Sequence, residues 1–381
     1  MKKCRYYNDS KTCCALMIDD FSLTATTIDG AIYPWNDWGY GMHDKKSLFS
    51  FFEKNLLQVF PEIKGTFFVP LFRHAAQNVN SGYQILFKDF DHKTRAFFDS
   101  IKSSWEIQFH GLTHGKFVDS QNPSFQNWVH EFTYLTQKDI DPIRAAIRSI
   151  EDMLGIEISG GKYPGYCKNE HSEDIIEQLD FKWWCSTAEM ISKKHRLNKH
   201  KYFGNRKNIL DIPTNLSGDI FQPRLFPDQS LTFLIKNLKK KLGDFRREQF
   251  IGYLYENRLP ITIQEHFQTL RTDGKRQPIN VYDDIVSLQK ILSLLKGADI
   301  WYATCSELAH YLESFDFTEL IEYSDNIFEI KYNGRWDAPF LTLGGNSRCL
   351  LNLQTGETVQ GVYKQGIWIF NDLSIGRYQE Q

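Results

Sequence analysis

At 381 residues the chain is long enough for one large barrel or sheet domain with a smaller unit beside it. A net charge of −2 supplies no field to gather nucleic acid or an anionic membrane, and 41% hydrophobic with 24% charged residues is ordinary for a globular enzyme. No run approaches the length of a membrane span, Met1–Ser10 has basic residues but no apolar stretch to serve as a signal peptide, and the seven cysteines show no close CxxC pairing, which predicts free thiols in a reducing cytoplasm.

Residues 1–12 read as an N-terminal arm. The first strand, Cys14–Ile18, ends abruptly in Asp19 and Asp20. A buried strand does not finish in two acids without a reason. Successive strand residues point to opposite faces, so both carboxylates enter one pocket only where the strand stops. A cation there would let both stay ionised. The loop Ile32–Gly41 follows and should hang over the same mouth. Its Trp35, Trp38 and Tyr40 offer flat faces suited to sugar rings, or plug the protein's own core.

Further strands are predicted at Gly65–Pro70, Glu106–Phe109, Glu157–Ser159, Lys182–Cys185, Ile209–Ile212, Ile261–Ile263 and Ile300–Ala303. Helical patterns separate them. One takes Asp141 as N-cap and Pro142 in its first turn, lines up Ile143, Ile147, Ile150 and Leu154, and stops at Gly155. A second is capped by Ser172 before Ile175, Ile176 and Leu179. A third aligns Leu231, Leu234, Ile235, Leu238 and Leu242. A fourth aligns Ile285, Leu288, Ile291, Leu292 and Leu295, stopped by Gly297. This alternation predicts an α/β fold, a distorted (β/α)7-8 barrel over residues 13–315, with chemistry where strands end and loops begin. Beyond it, short strand-like runs (Ile327–Tyr332, Phe340–Leu343, Leu350–Leu353, Thr358–Tyr363, Ile367–Phe370) punctuated by Gly turns predict a small all-β accessory domain over 316–381.

Directly after the strand at Trp105–Phe109 stands His110-Gly111-Leu112-Thr113-His114. Four apart on one helical turn, the two rings would face the same side and share a cation. With one Asp they make a facial site that leaves positions open for water or substrate.

Taken in order, Ile18-Asp19-Asp20, His110-x-x-x-His114, Lys162-Tyr163-Pro164-Gly165 and the strand-end His266 resemble the motifs of the polysaccharide deacetylase (NodB-homology) family, and are similar to those of carbohydrate esterase family 4. The resemblance runs roughly from Cys13 to Tyr311, taking in Gly65–Val69 and Asp299–Thr304. It implies metal-dependent hydrolysis of an N-acetyl or O-acetyl group on a carbohydrate or sugar-containing precursor. The metal implied is a divalent ion, zinc in the first place, with cobalt, manganese or nickel as alternatives. It further implies Asp20, His110 and His114 as metal ligands, Asp19 as the general base and His266 as the acid that protonates the departing amine. A backbone N–H near Gly165 would receive the carbonyl oxygen.

Several positions depart from that pattern. Lys162 stands where an arginine orients the base, keeping the charge without the planar fork. Gly165 replaces an aromatic residue, with Tyr166 next, and Phe181–Ser186 takes the place of an Asp-x-x-Asp-Trp run. Gly165, Tyr166 and Trp184 join the expected substrate-binding set, and Asp211 or Glu189 would orient His266. Two other readings stay open: a barrel that binds glycan without turning it over, and a metal-dependent amidohydrolase on a non-sugar amide. Lys236, Lys239, Lys240, Lys241, Arg246 and Arg247 alternate with an apolar helix face and read as solvated surface. His74, His92, His130, His171, His195, His200 and His310 read as structural. The expected partner is a sugar-containing substrate, with no nucleic acid and no membrane span; the expected location is the cytoplasm, and the oligomeric state stays open.

Overall fold

The structure is a computed structural model that describes residues 1–21, 27–28, 31–32, 48–71, 92–119, 125–187, 201–221, 231–268, 277–323 and 326–381. Its centre is a ten-stranded sheet. In chain order the strands are β1 (Thr12–Asp19), β2 (Gly65–Val69), β3 (Trp105–Phe109), β4 (Gly160–Lys162), β5 (Trp183–Cys185), β6 (Lys201–Phe203), β7 (Ile209–Asp211), β8 (Leu216–Ser217), β9 (Ile261–His266) and β10 (Ile300–Tyr302). They lie side by side as β6-β7-β5-β4-β3-β2-β1-β9-β8, with β10 also on β1. Every pair is parallel except β6 with β7. The protein is therefore mixed α/β, and among the described residues the two ends of the sheet, β6 and β8, do not pair with each other.

All eight residues of β1 are buried, which is why its sequence reads as a continuous apolar run rather than an alternation. One edge pairs Cys14–Asp19 with Ile261–His266 of β9. The other edge is shared, Thr12–Cys14 to β10 and Leu16–Asp19 to β2. Cys14, Leu16 and Ile18 enter one core, while Cys13, Ala15 and Met17 enter a second with Phe68, Trp183 and Cys185. Asp19 continues that second face, one rung beyond Met17.

The fourth predicted strand is displaced. Glu157–Ser159 is irregular, and Gly160–Lys162 forms the strand instead. The two glycines allow it, because a Cβ at Gly160 would overlap the indole of Trp183 and one at Gly161 would meet the ring of Trp184 and the carbonyl of Phe109. The helix at Ile140–Leu154 buries the predicted face and ends on Gly155 at φ 63°. Asp141 is not its cap. A capping box between Thr136 and Asp139 starts a 3-10 turn one step earlier, and that turn runs straight into the α-helix. The helix Leu231–Glu256 extends well past the predicted third face; Leu242 is 55% exposed, and Ile251 and Leu254 are buried further along. Ser172–Gln178 and Ile285–Leu295 bury their predicted faces, but Ser172 is the first helical residue rather than the cap, a position that His171 takes.

From Thr318 onward the described residues form strands. Five build one antiparallel sheet, and three more join the two-residue strand Lys2–Lys3 in another. The first residues are thus part of that sheet rather than a free arm. The predicted run Thr358–Tyr363 is split at Gly361 into Thr358–Gln360 and Val362–Lys364, which belong to different sheets. All seven cysteines are free thiols. Among the described residues no helix is long and apolar enough to cross a membrane.

Candidate metal centre

Asp19 closes β1 with Phe68 of β2 on one side and His266 of β9 on the other. Asp20 then leaves the strand at φ 60°, in the left-handed region that Asp tolerates better than most residues. That one turn swings the second carboxylate into the pocket the first already faces, and both side chains are buried.

Oδ1 of Asp20 lies 3.4 Å from Nε2 of His114 and 3.9 Å from Nε2 of His110. One ligand atom from each of the three sits within 4.8 Å of the others. Two ligands at about 2.0–2.1 Å on a tetrahedral ion stand about 3.3 Å apart, so a small closure completes the set. The chemistry of the donors agrees. Among the described residues Asp20 Oδ1 is buried with no hydrogen-bond donor, a costly state that a cation would relieve. Its other oxygen, Oδ2, accepts from Gln268 Nε2 at 2.7 Å. His110 Nδ1 donates to the carbonyl of Lys162 at 2.9 Å, which leaves the Nε2 lone pair on the side of Asp20. Burial pushes the His110 imidazole down to about 4, so it stays neutral and able to ligate.

The two histidines do not share a helical turn. They flank an irregular loop in which Gly111 has φ 86° and His114 has φ 67°. Glu131 shapes it. This buried carboxylate accepts the N–H of Leu112 at 2.8 Å and of Thr113 at 2.7 Å, and its own N–H donates to the carbonyl of His114. A side chain at position 111 would strike Glu131 Oε2. Burial raises the Glu131 pKa, and the two loop N–H groups pull it back. Nothing in the HxxxH spacing announces Glu131. Its only sequence mark is an acid inside the aromatic run Trp128-Val129-His130-Glu131-Phe132.

Lys162 is wholly buried, with Nζ 2.9 Å from Asp19 Oδ1 and 2.7 Å from Oδ2. Burial alone would lower the Lys162 pKa and raise that of Asp19; their mutual attraction outweighs it, so the lysine is raised and the aspartate lowered. His266 Nε2 stands 3.9 Å from Asp19 Oδ2. Its Nδ1 is buried without a hydrogen-bond partner among the described residues, so Asp211 does not orient it; Asp211 accepts from the N–H and hydroxyl of Ser186.

The substrate-binding expectations divide. Trp35, Trp38 and Tyr40 lie outside the described residues, as does Glu189. Trp184 is a core residue, fully buried among Phe109, Phe132, Tyr163 and Phe181, and does not face the site. Gly165, at φ 57°, carries the ring of His130 against its α-carbon, in the space a larger residue would claim. Tyr166 points inward, its hydroxyl 2.8 Å from Thr214 Oγ1 and 2.7 Å from Gln264 Oε1.

No protein-family model and no curated protein matches the chain. Solved structures do resemble it. A Mycobacterium smegmatis protein assigned to the polysaccharide deacetylases is 15% identical, over 83% of this chain and 95% of its own, with a TM-score of 0.41. PuuE allantoinase is 14% identical, over 81% and 92%, with a TM-score of 0.42. The Xyl-CE4 domain of a multidomain xylanase from the hindgut metagenome of Trinervitermes trinervoides is 16% identical, over 78% and 89%, with a TM-score of 0.33. At these identities and TM-scores the likeness says nothing of chemistry, and the site is read from its own residues.

Proposed function

We propose that the chain is a metal-dependent hydrolase that removes an N-acetyl or O-acetyl group from a carbohydrate or sugar-containing precursor, working at the C-terminal strand ends of a distorted barrel. The observation that carries the reading is the buried Oδ1 of Asp20, without a donor among the described residues and facing two imidazole nitrogens, with a second carboxylate held ionised beside it. Asp20, His110 and His114 would hold the cation, with zinc as first choice. A cation in that place lowers the pKa of bound water toward about 7 and polarises a carbonyl oxygen.

The remaining steps belong to the chain. Asp19, kept charged by Lys162, takes the proton as water attacks. His266, on the neighbouring strand, gives a proton to the departing amine or alcohol. Lys162 serves twice, with its ammonium on the base and its carbonyl on His110. A second reading, hydrolysis of a non-sugar amide at the same centre, gains from the position of Trp184, which takes one expected sugar-stacking ring out of the mouth.

The test uses protein stripped with chelator and reloaded with zinc or cobalt. Acetate release from N-acetylated sugars supports the first reading, and release of acid from simple amides alone supports the second. Protein carrying one equivalent of metal that releases no acid from either class would overturn both. Asp19→Asn should abolish turnover while the metal stays bound.

A further inference from the structure

We infer that Tyr166 and Gln264 are positioning residues that fix how Asp19 presents its carboxylate; the inference rests on Asp19 serving as the base. Gln264 lies on β9 two residues before His266, opposite Met17 of β1, and is buried. Its Nε2 donates to Asp19 Oδ2 at 3.2 Å, and its Oε1 faces the Tyr166 hydroxyl at 2.7 Å. A phenol has a single proton. Given to Gln264 Oε1, it leaves the phenol oxygen as the acceptor in the 2.8 Å contact with the Thr214 hydroxyl, whose proton then turns away from Met17 Sδ, 3.4 Å off. The donors then run in one direction, Thr214 to Tyr166 to Gln264 to Asp19, and each bond polarises the next. The amide is pinned at both ends, and its NH2 is the end turned to the base.

The backbone supports this independently. Gly165 and Tyr166 have φ of 57° and 55°, two successive left-handed residues. For a bulky side chain that conformation is strained and persists only where something holds it. Its result is to carry the phenol back under the sheet ends, where the Lys162 ammonium lies 4.9 Å from the ring centre. The hydroxyl of the half-buried Tyr166 is thereby turned to the interior.

The arrangement also selects one oxygen. An ionised carboxylate has about four lone-pair positions. Lys162 takes one on each oxygen of Asp19, and Gln264 takes the second on Oδ2. Among the described residues only Oδ1 keeps an open position, so Asp19 collects its proton there.

A double-mutant cycle on the metal-loaded protein tests the relay. Tyr166→Phe and Gln264→Leu should each lower kcat by about 10- to 100-fold at unchanged metal stoichiometry, with KM moving little. Because Tyr166 acts through Gln264, the double variant should be no slower than Gln264→Leu. Losses that multiply, or a rise in KM with kcat intact, would overturn the inference. A second measurement needs no turnover. In metal-free protein the side-chain amide resonances of Gln264, assigned by their loss in Gln264→Leu, should shift in Tyr166→Phe. An unmoved amide refutes the relay. If the wild-type protein hydrolyses nothing, the hydrolase reading fails while the amide spectrum still decides whether the relay exists.

Discussion

Lys162→Met isolates the electrostatics on which the proposed base depends. Methionine keeps much of the side-chain volume and removes the ammonium that meets both oxygens of Asp19. What remains is a carboxylate that is 2% exposed, with one amide donor and the His266 imidazole 3.9 Å away but no ammonium. Breaking one side of a buried ion pair costs about 3–5 kcal/mol, so the unfolding constant should rise by about two to four orders of magnitude. The pH course carries the sign. In the native protein the folded pKa of Asp19 lies below its unfolded value of about 3.9, so its contribution is full above that pH and is lost as pH falls through the folded pKa. In the variant burial acts without Lys162, and the folded pKa rises above the unfolded one. The penalty then grows as pH rises through that value and shrinks toward acid. Urea unfolding of metal-free protein at about pH 5 and about pH 8 measures both limbs. Adding Asp19→Asn to the variant should restore more than half of the loss at the higher pH. A loss below about 1 kcal/mol at that pH, or one equal at both pH values, would refute the argument.

Glu131→Gln should weaken zinc binding by about 10- to 100-fold, read by competition with a chromophoric chelator, because an amide can place only one acceptor oxygen against the N–H groups of Leu112 and Thr113. The His110 imidazole, pushed down to about 4 by burial, binds its proton more readily unfolded than folded, so metal-free protein should lose stability as pH falls from about 6.5 toward that value. His110→Gln should flatten this part of the urea-midpoint curve, and an unchanged slope would assign it elsewhere. Gly165→Ala, which adds a methyl at φ 57° against the ring of His130, should cost about 1–3 kcal/mol in thermal unfolding, partly recovered by His130→Ala.

What the sequence announces is what local chemistry demands. An apolar run ending in Asp19-Asp20 contradicts burial unless the acids have work to do, and the left-handed turn at Asp20 is how both reach one pocket. The spacing of His110 and His114 was legible, but its geometry was not. A helical turn is the default for an i, i+4 pair, and Gly111 together with the distant Glu131 overrides it. The same holds for β4. Gly160-Gly161 reads locally as a break, whereas the indoles of Trp183 and Trp184 on the adjacent strand need those missing side chains. Trp184 was placed in the expected substrate-binding set, yet its strand turns it into the core.

Of the groups around Asp19, Lys162 and His266 were legible through the family resemblance, whereas Gln264 was not: its type is ordinary, and only register gives it a role. Gln264 and His266 reach the site because β9 pairs with β1 so that His266 stands opposite Asp19, and the N–H of Phe267 closes that register on the Asp19 carbonyl at 2.8 Å. A slip of one residue would exchange the two faces of β9. Ile263 and Glu265 would then face Asp19 in place of Gln264 and His266. Glu265 is wholly buried, and burial, with Asp284 and Asp219 nearby, pushes its pKa well up. A carboxyl in that place would bring neither the amide donor nor the imidazole, so the chemistry of the site is held by a strand pairing that no motif records.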